Sequence, residues 1–202
     1  MAAGEPYLAA VPLICFEWHQ RPENVLAGHL TWANYRPSNR RNTVRIEHHK
    51  TGEHVDLPLL DRNGPLFPEL TDYLDNLERL GVPIVLMKPR RLRGAKVAIP
   101  KSFLLRTARN RIRAAARAAK LPEDLTLAAC RHGGMTELGD AELTEQGVMA
   151  LSGHKTPDAA RLYQKRTETQ RASAARKRRA WVARNAEQDA HKSQNEAAAA
   201  ES

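Results

Sequence analysis

The spacing of apolar residues changes from a helical to a strand period and back, which predicts a chain that mixes helices with a small β-structure. Residues 5–32 predict two short helices that meet near Arg21, where polar residues interrupt the apolar pattern. Apolar and polar residues then alternate over 44–47 and again over 55–59. Because a Lys50-Thr51-Gly52 segment separates the two stretches, we expect a β-hairpin with Lys50 at its tip.

The middle of the chain predicts two more helices and one ambiguous segment. Leucines from Leu70 to Leu80 recur at helical spacing and predict a helix that ends at Gly81. Residues 82–87 fit either a buried strand or an extended linker. Residues 103–120 predict an arginine-rich helix with its arginines facing outward. The residues that we expect on the core side of this helix are Leu104, Ile112, Ala115 and Ala119.

The segment from Leu121 to Arg166 carries the clearest helix boundaries. Residues 131–138 and 143–151 each predict a helix, and Gly153 can end the second in the left-handed conformation. Thr156-Pro157-Asp158 then supplies an N-cap, a proline at the first helical position and an acid in the first turn. The helix that begins there should carry Tyr163.

These elements predict a mainly α fold with a small antiparallel β-sheet, in the α+β class. We expect one domain over residues 1–168. The remainder, 169–202, should form a basic helix over 171–184 and end in a low-complexity, disordered tail.

Composition narrows the choice of partner. The 202 residues hold 32 Lys and Arg against 23 Asp and Glu, a formal net charge of +9, which favours a polyanion. The two cysteines exclude a disulfide scaffold and have no zinc-ligand spacing, so we expect a cytoplasmic protein. No apolar run approaches the roughly 20 residues of a membrane span, so no membrane partner is expected.

Four segments along the chain carry arginine, lysine, histidine and tyrosine side chains in a distinctive order. LSGHKTPDAARLY (151–163) contains His154 and Tyr163, and AACRHGGMTEL (128–138) contains Arg131. KTGEHVDLPL (50–59) begins with Lys50, and RPENVLAGHLTW (21–32) begins with Arg21. In this order the segments resemble the catalytic domain of the tyrosine recombinases, the phage integrase family. The resemblance extends over about residues 10–167.

The resemblance implies metal-independent cleavage and rejoining of DNA through a 3′-phosphotyrosyl intermediate, with no cofactor. Tyr163 would attack the phosphorus, while Arg21 and Arg131 would bind the non-bridging oxygens. Lys50 would protonate the departing 5′ oxygen, and His154 would donate a hydrogen bond to the phosphate or help orient it. Since the covalent link is close in energy to the bond it replaces, rejoining needs no ATP.

The resemblance also implies double-stranded DNA as the partner and a homotetramer on that DNA. Such enzymes generally clamp DNA between a helical core-binding domain and the catalytic domain. This chain begins shortly before Arg21, so we expect the core-binding domain to be absent. The predicted arginine-rich helix could supply phosphate contacts that carry no sequence information. Its candidate DNA-binding residues are Arg106, Arg109, Arg113 and Arg117.

One position departs from the family pattern. The family usually has His at the first position of its His-x-x-Arg motif, where this chain has Ala128, and alanine cannot exchange a proton. A catalytically idle DNA-binding remnant is therefore an alternative, and it predicts salt-sensitive duplex binding without a covalent product. A basic RNA-associated protein is a weaker alternative, because aromatic residues make up only 5% of the chain.

Overall fold

The computed structural model describes residues 5–50, 52–88, 99–161 and 166–200, with side chains described to residue 188. Its helices are α1 (Pro6–Glu17), α2 (Pro22–Leu26), α3 (Pro68–Asp75), α4 (Leu105–Ala118), α5 (Leu127–Asp140), α6 (Glu145–Ser152), α7 (Pro157–Arg161) and α8 (Glu168–Ala200). Its strands are β1 (Thr43–His48), β2 (Glu53–Pro58), β3 (Leu60–Asp61) and β4 (Gly64–Pro65). The predicted α+β class is confirmed.

Helix α1 lies at the centre of the fold. Its buried side chains recur at helical spacing from Tyr7 to Cys15 and form one broad face. It packs against α2, α3, α4 and α5. Ile14 and Cys15 on α1 and Trp18 just beyond it are fully buried in the main core. The two helices predicted at the start of the chain are therefore confirmed, and Arg21 is the N-cap residue of α2.

Strands β1 and β2 form the predicted antiparallel hairpin. The register pairs Thr43 with Pro58 and His48 with Glu53, so the turn begins after His48. Val44, Ile46 and Leu57 point into the core, as the alternation predicts. The shorter pair β3 and β4 forms a separate two-stranded sheet.

Helix α5 lies unusually close to α1. A Cβ built on Gly134 would collide with the carbonyl oxygen of Phe16 and lie 3.2 Å from Cδ2 of His19. Only a residue without a side chain allows this approach. On its other side, α5 packs with α6 and α7 around a smaller cluster of Met135, Val148 and Ala160.

Helix α3 is shorter than the leucine spacing predicts. It ends at Asp75, with Asn76 as its C-cap, instead of continuing to Gly81. The phenol of Tyr7 donates a 2.8 Å hydrogen bond to the carbonyl of Glu78, which holds the following segment over α1 in a non-helical path. Leu77 is therefore buried although it lies beyond the end of the helix. The tertiary hydrogen bond of Tyr7 competes with continuation of the helix.

Two core assignments on the arginine-rich helix are wrong. Leu104 is 75% exposed because it is the N-cap of α4, and Ala119 is exposed because it is the C-cap. Neither residue therefore belongs to the helical face. Ile112, by contrast, packs against the core as predicted. Between α3 and α4, residues 82–87 form an extended linker, with only isolated bridges at Pro83 and Met87.

The remaining helices follow their predicted order with shifted ends. Helix α5 begins at Leu127, earlier than predicted, because Thr126 caps it by accepting a 3.1 Å hydrogen bond from the Ala129 amide. Helix α8 continues to Ala200, through the segment predicted to be disordered, and its alanines favour a helix. The proposed boundary between domain and tail at residue 168 stays a prediction.

Candidate active site

The predicted second arginine is buried at the meeting of α1 and α5. Arg131 is 4% exposed, and its Nη1 donates a hydrogen bond to the carbonyl oxygen of His19. Its Nη2 lies 3.0 Å from Nε2 of His154. His19 itself has a left-handed backbone, with φ 53°, which follows the end of α1. The guanidinium is therefore held in place from both sides before any substrate binds.

His154 stands in the turn that follows α6. Gly153 ends this helix in the left-handed conformation, with φ 67°, as the sequence predicts. Ser152 donates its hydroxyl to the carbonyl of Val148 at 2.7 Å, so its oxygen accepts from Nδ1 of His154, also at 2.7 Å. These partners assign the proton of the neutral ring to Nδ1 and leave Nε2 as an acceptor facing Arg131.

Both histidines beside Arg131 are held in the neutral form. Burial first, and then the positive charges of Arg131 and Arg21, lower the pKa of His154 to about 4. Burial and Arg131 also lower the pKa of His19 to about 4. The site therefore carries positive charge on the Arg131 and Arg21 guanidinium groups and not on these two imidazoles.

Two other predicted catalytic residues line a single cleft next to this buried pair. Arg21 and Lys50 are both exposed, and both line a cleft with a volume of about 540 Å³. Arg21 starts α2, and Lys50 lies in the turn between β1 and β2. Other residues that line the cleft are Gln20, Glu23, Asn24, Ala27, His29, His48 and His49.

Asn24 holds the two sides of the cleft together. This residue of α2 is 9% exposed, and its amide donates a 3.0 Å hydrogen bond to the carbonyl of Glu47. Its carbonyl oxygen accepts a 3.3 Å hydrogen bond from the backbone N–H of His49. The end of β1, and with it the turn that carries Lys50, is therefore fixed next to Arg21.

His48 links the cleft to the buried histidine. It lines the cleft, and the charges of Arg131 and Arg21 add to burial in lowering its pKa. His48 in turn contributes to the low pKa of His154. The positive charges of Arg21 and Arg131 thus disfavour protonation of both His48 and His154.

The structure brings together four of the predicted catalytic residues. These are Arg21, Lys50, Arg131 and His154. The fifth, Tyr163, follows α7 in the chain but lies outside the described residues. Ala128 is exposed on the first turn of α5.

The four candidate DNA-binding arginines form one exposed stripe along α4. Arg109 forms a 3.1 Å ion pair with Glu23, which itself lines the cleft, so the stripe passes beside the cleft. Arg117 lies 3.7 Å from Glu123. Among the residues that the structure describes, Arg106 and Arg113 have no ion-pair partner.

Sequence reasoning missed the residues that hold the catalytic candidates in place. His48, Asn24 and the carbonyl of His19 have no motif of their own. One signal was available for His48, because the alternation of Val44 and Ile46 assigns it to the same, inward face of β1. Over the described part of the chain, no group of three His, Cys, Asp or Glu residues is placed to hold a metal ion.

Comparison with known proteins shows which fold this chain has. No protein-family model and no curated protein matches the sequence. Solved structures do match. The XerA recombinase structure matches with a TM-score of 0.61 at 12% identity, over 86% of this chain and 57% of that one. The lambda integrase catalytic core matches with a TM-score of 0.53 at 17% identity, over 76% of this chain and 87% of that one. The chain has the fold of a tyrosine recombinase catalytic domain.

Structures with this tyrosine recombinase fold include assemblies on DNA. A lambda integrase tetramer bound to a Holliday junction matches with a TM-score of 0.56 at 17% identity, over 79% of this chain and 42% of that one. The chain spans between 42% and 57% of the length of the first three integrase and recombinase chains that it matches. No helix within the described ranges is both long and apolar enough to cross a membrane.

Proposed function

We propose that this chain cleaves and rejoins DNA strands as a tyrosine-type site-specific recombinase. The observation that carries the proposal is that Arg21 and Lys50 line one cleft beside the buried pair of Arg131 and His154, whose imidazole is close enough to feel the charge of Arg21. Elements from distant parts of the sequence contribute these side chains. The fold alone would not require this set of charged and hydrogen-bonding groups to meet.

The two arginines would stabilise the charge on the phosphate. A phosphodiester under attack develops negative charge on its non-bridging oxygens, and permanently charged, forked donors suit that charge. Arg131 is already oriented by the His19 carbonyl and by His154, so it would reorganise little during the reaction. Arg21 is exposed at the start of α2 and would close onto the phosphate from the cleft side.

Tyr163 and Lys50 would replace the DNA ester bond at phosphorus with an ester bond to the tyrosine. The tyrosine oxygen forms a bond to phosphorus and gives its proton to water, while the bond between phosphorus and the 5′ oxygen breaks. Lys50 gives the departing oxygen its proton, which leaves a free 5′ hydroxyl and a 3′-phosphotyrosyl link. Attack by a 5′ hydroxyl reverses these steps, so a new strand can be joined without an external energy source.

His154 would respond to the arrival of the phosphate. Its Nε2 faces a guanidinium, and Arg131 and Arg21 help to keep the ring neutral. A bound phosphate offsets those positive charges and favours the protonated ring. The ring could then donate a hydrogen bond from Nε2 to a phosphate oxygen.

The exposed stripe on α4 would bind the DNA backbone beside the cleft. Arg106, Arg109, Arg113 and Arg117 would contact phosphates and release counterions, which makes duplex binding salt-dependent. Because the lambda integrase structure with this fold is a tetramer on a Holliday junction, we extend the proposal to a tetramer of this chain on double-stranded DNA.

A nicked suicide substrate tests the proposed chemistry. The chain is incubated, without added metal, with duplex DNA from the flanks of its own gene, nicked so that cleavage releases a short oligonucleotide. We expect a DNA-linked protein band on a denaturing gel from the parent chain and no such band from Tyr163→Phe. Mass spectrometry of the linked peptide should identify Tyr163 as the attachment point.

The same experiment distinguishes the alternative. A DNA-linked band of equal intensity from Tyr163→Phe would contradict the assigned nucleophile. If neither protein forms the band, duplex binding persists, and a fused core-binding domain does not restore cleavage, the chain is a DNA-binding remnant. The first variant to test would then be Ala128→His, which supplies the imidazole that the family usually has at this position.

A further inference from the structure

His48 occupies the space next to the turn that carries His154. It is the last residue of β1 and is half-buried. A Cβ built on Gly153 would collide with Nε2 of His48 and lie 3.0 Å from its Cε1 and 3.3 Å from its Cδ2. The tip of the imidazole therefore packs directly on the backbone of Gly153, and only glycine leaves room for it.

A second contact from the same end of the hairpin holds the other side of the turn. Glu53 pairs with His48 across the hairpin, so their side chains lie on the same face. The Oε1 of Glu53 lies 2.7 Å from Nζ of Lys155. The last pair of the β1–β2 ladder therefore contacts the residues on both sides of His154.

The buried nitrogen of His48 indicates what the ring does. Its Nε2 is shielded from solvent and has no hydrogen-bond partner among the residues that the structure describes. This nitrogen faces the backbone of Gly153. A ring in this orientation acts by filling space against the turn, and it does not offer Nε2 to a substrate.

We propose that His48 is a positioning residue, which holds His154 in place through Gly153 and so couples the hairpin that carries Lys50 to the buried pair of Arg131 and His154. This inference rests on the proposed recombinase function. It explains how the exposed turn that carries Lys50 keeps a fixed position relative to the buried His154. The end of β1 is tied to α2 through Asn24 and to the His154 turn through His48.

A double-mutant cycle on the suicide substrate tests the coupling. We expect His48→Ala to slow formation of the DNA-linked product by about tenfold, since misplaced catalytic groups cost rates of this order. Because His48 acts through His154, adding His48→Ala to His154→Ala should slow the reaction by less than about twofold further. His48→Phe keeps a ring of similar shape without the nitrogens, so it should retain a rate within about threefold of the parent.

The matched control is His54→Ala. His54 is exposed on the same hairpin, pairs with Glu47, and therefore lies on the opposite face from His48. It should not change the rate. If the single losses of His48→Ala and His154→Ala multiply in the double variant, or if His48→Phe is as slow as His48→Ala, then His48 does not act through His154 and the proposal is overturned.

An activity-independent measurement separates this inference from the proposed function. The NMR titration of the His154 ring proton reports its surroundings without any DNA. His48 contributes to the low pKa of His154, and removing it opens the ring to water, so His48→Ala should raise the His154 midpoint by at least about half a pH unit. His54→Ala should leave it unchanged. If no covalent product forms even with a fused core-binding domain, the proposed function is refuted. An unchanged His154 midpoint in His48→Ala refutes the positioning role.

Discussion

Lowering the pH from 7 to 5 should destabilise the fold through two buried histidines, His19 and His154. Both rings are less than a tenth exposed. Their pKa values fall from 6.5 to about 4 on folding, because burial and Arg131 disfavour the imidazolium. The two imidazoles are therefore protonated below pH 6.5 in the unfolded chain, but only below about pH 4 in the folded chain.

The sign and size of the effect follow from this difference. The stability that each neutral ring contributes is fully present above pH 6.5 and is lost as the pH falls toward 4. Between pH 7 and pH 5, the proton-binding difference amounts to about 2 kcal/mol of unfolding free energy for each ring. His48, whose pKa is also lowered, changes stability in the same direction.

Urea denaturation at the two pH values measures this loss. Trp18 and Trp32 are buried, so their fluorescence should report global unfolding. His154→Gln and His19→Asn remove the titrating rings, and asparagine tolerates the left-handed backbone at position 19. Each variant should lose about 2 kcal/mol less than the parent chain between pH 7 and pH 5.

Comparing variants with the parent removes the contribution of carboxylates, which is common to both. His54→Gln, at an exposed position, provides the matched control. The reasoning is refuted if the parent and both variants lose the same free energy between pH 7 and pH 5. That result would mean that the two rings bind protons in the folded chain as readily as in the unfolded one.

Three further predictions concern the packing of α5, the α4 stripe and the cleft. Gly134→Ala should lower the unfolding free energy in urea by about 3 kcal/mol, because the new methyl collides with the backbone of Phe16, whereas Gly133→Ala meets only that residue's ring and should cost less. Arg113→Ala should weaken duplex binding and reduce the slope of log affinity against log salt by about 1, and an unchanged slope would exclude a phosphate contact. Asn24→Ala should slow suicide-substrate cleavage by about tenfold by releasing the Lys50 turn. A substrate with sulfur at the 5′ leaving position needs no proton donor and should restore the rate, and a failure to do so would assign Asn24 a different role.

Local sequence signals predicted the elements that carry the candidate site. The hairpin follows from the alternation around Lys50, and the end of α6 follows from Gly153, whose left-handed backbone the structure confirms. Local signals failed where a tertiary contact competed with them. The leucine spacing predicts a longer α3, but the hydrogen bond from Tyr7 to Glu78 draws that segment away from a helical path.

The sequence by itself determined the order of the candidate catalytic residues and the turns that present them, because turns and caps depend on a few neighbouring residues. Only the tertiary structure decided which groups hold those residues in place. The carbonyl that orients Arg131 comes from His19, and the ring that braces His154 comes from His48. Contacts between residues so far apart in the chain leave no local period or motif. They arise when α1, α5 and the hairpin pack together, and they are therefore visible only in the folded molecule.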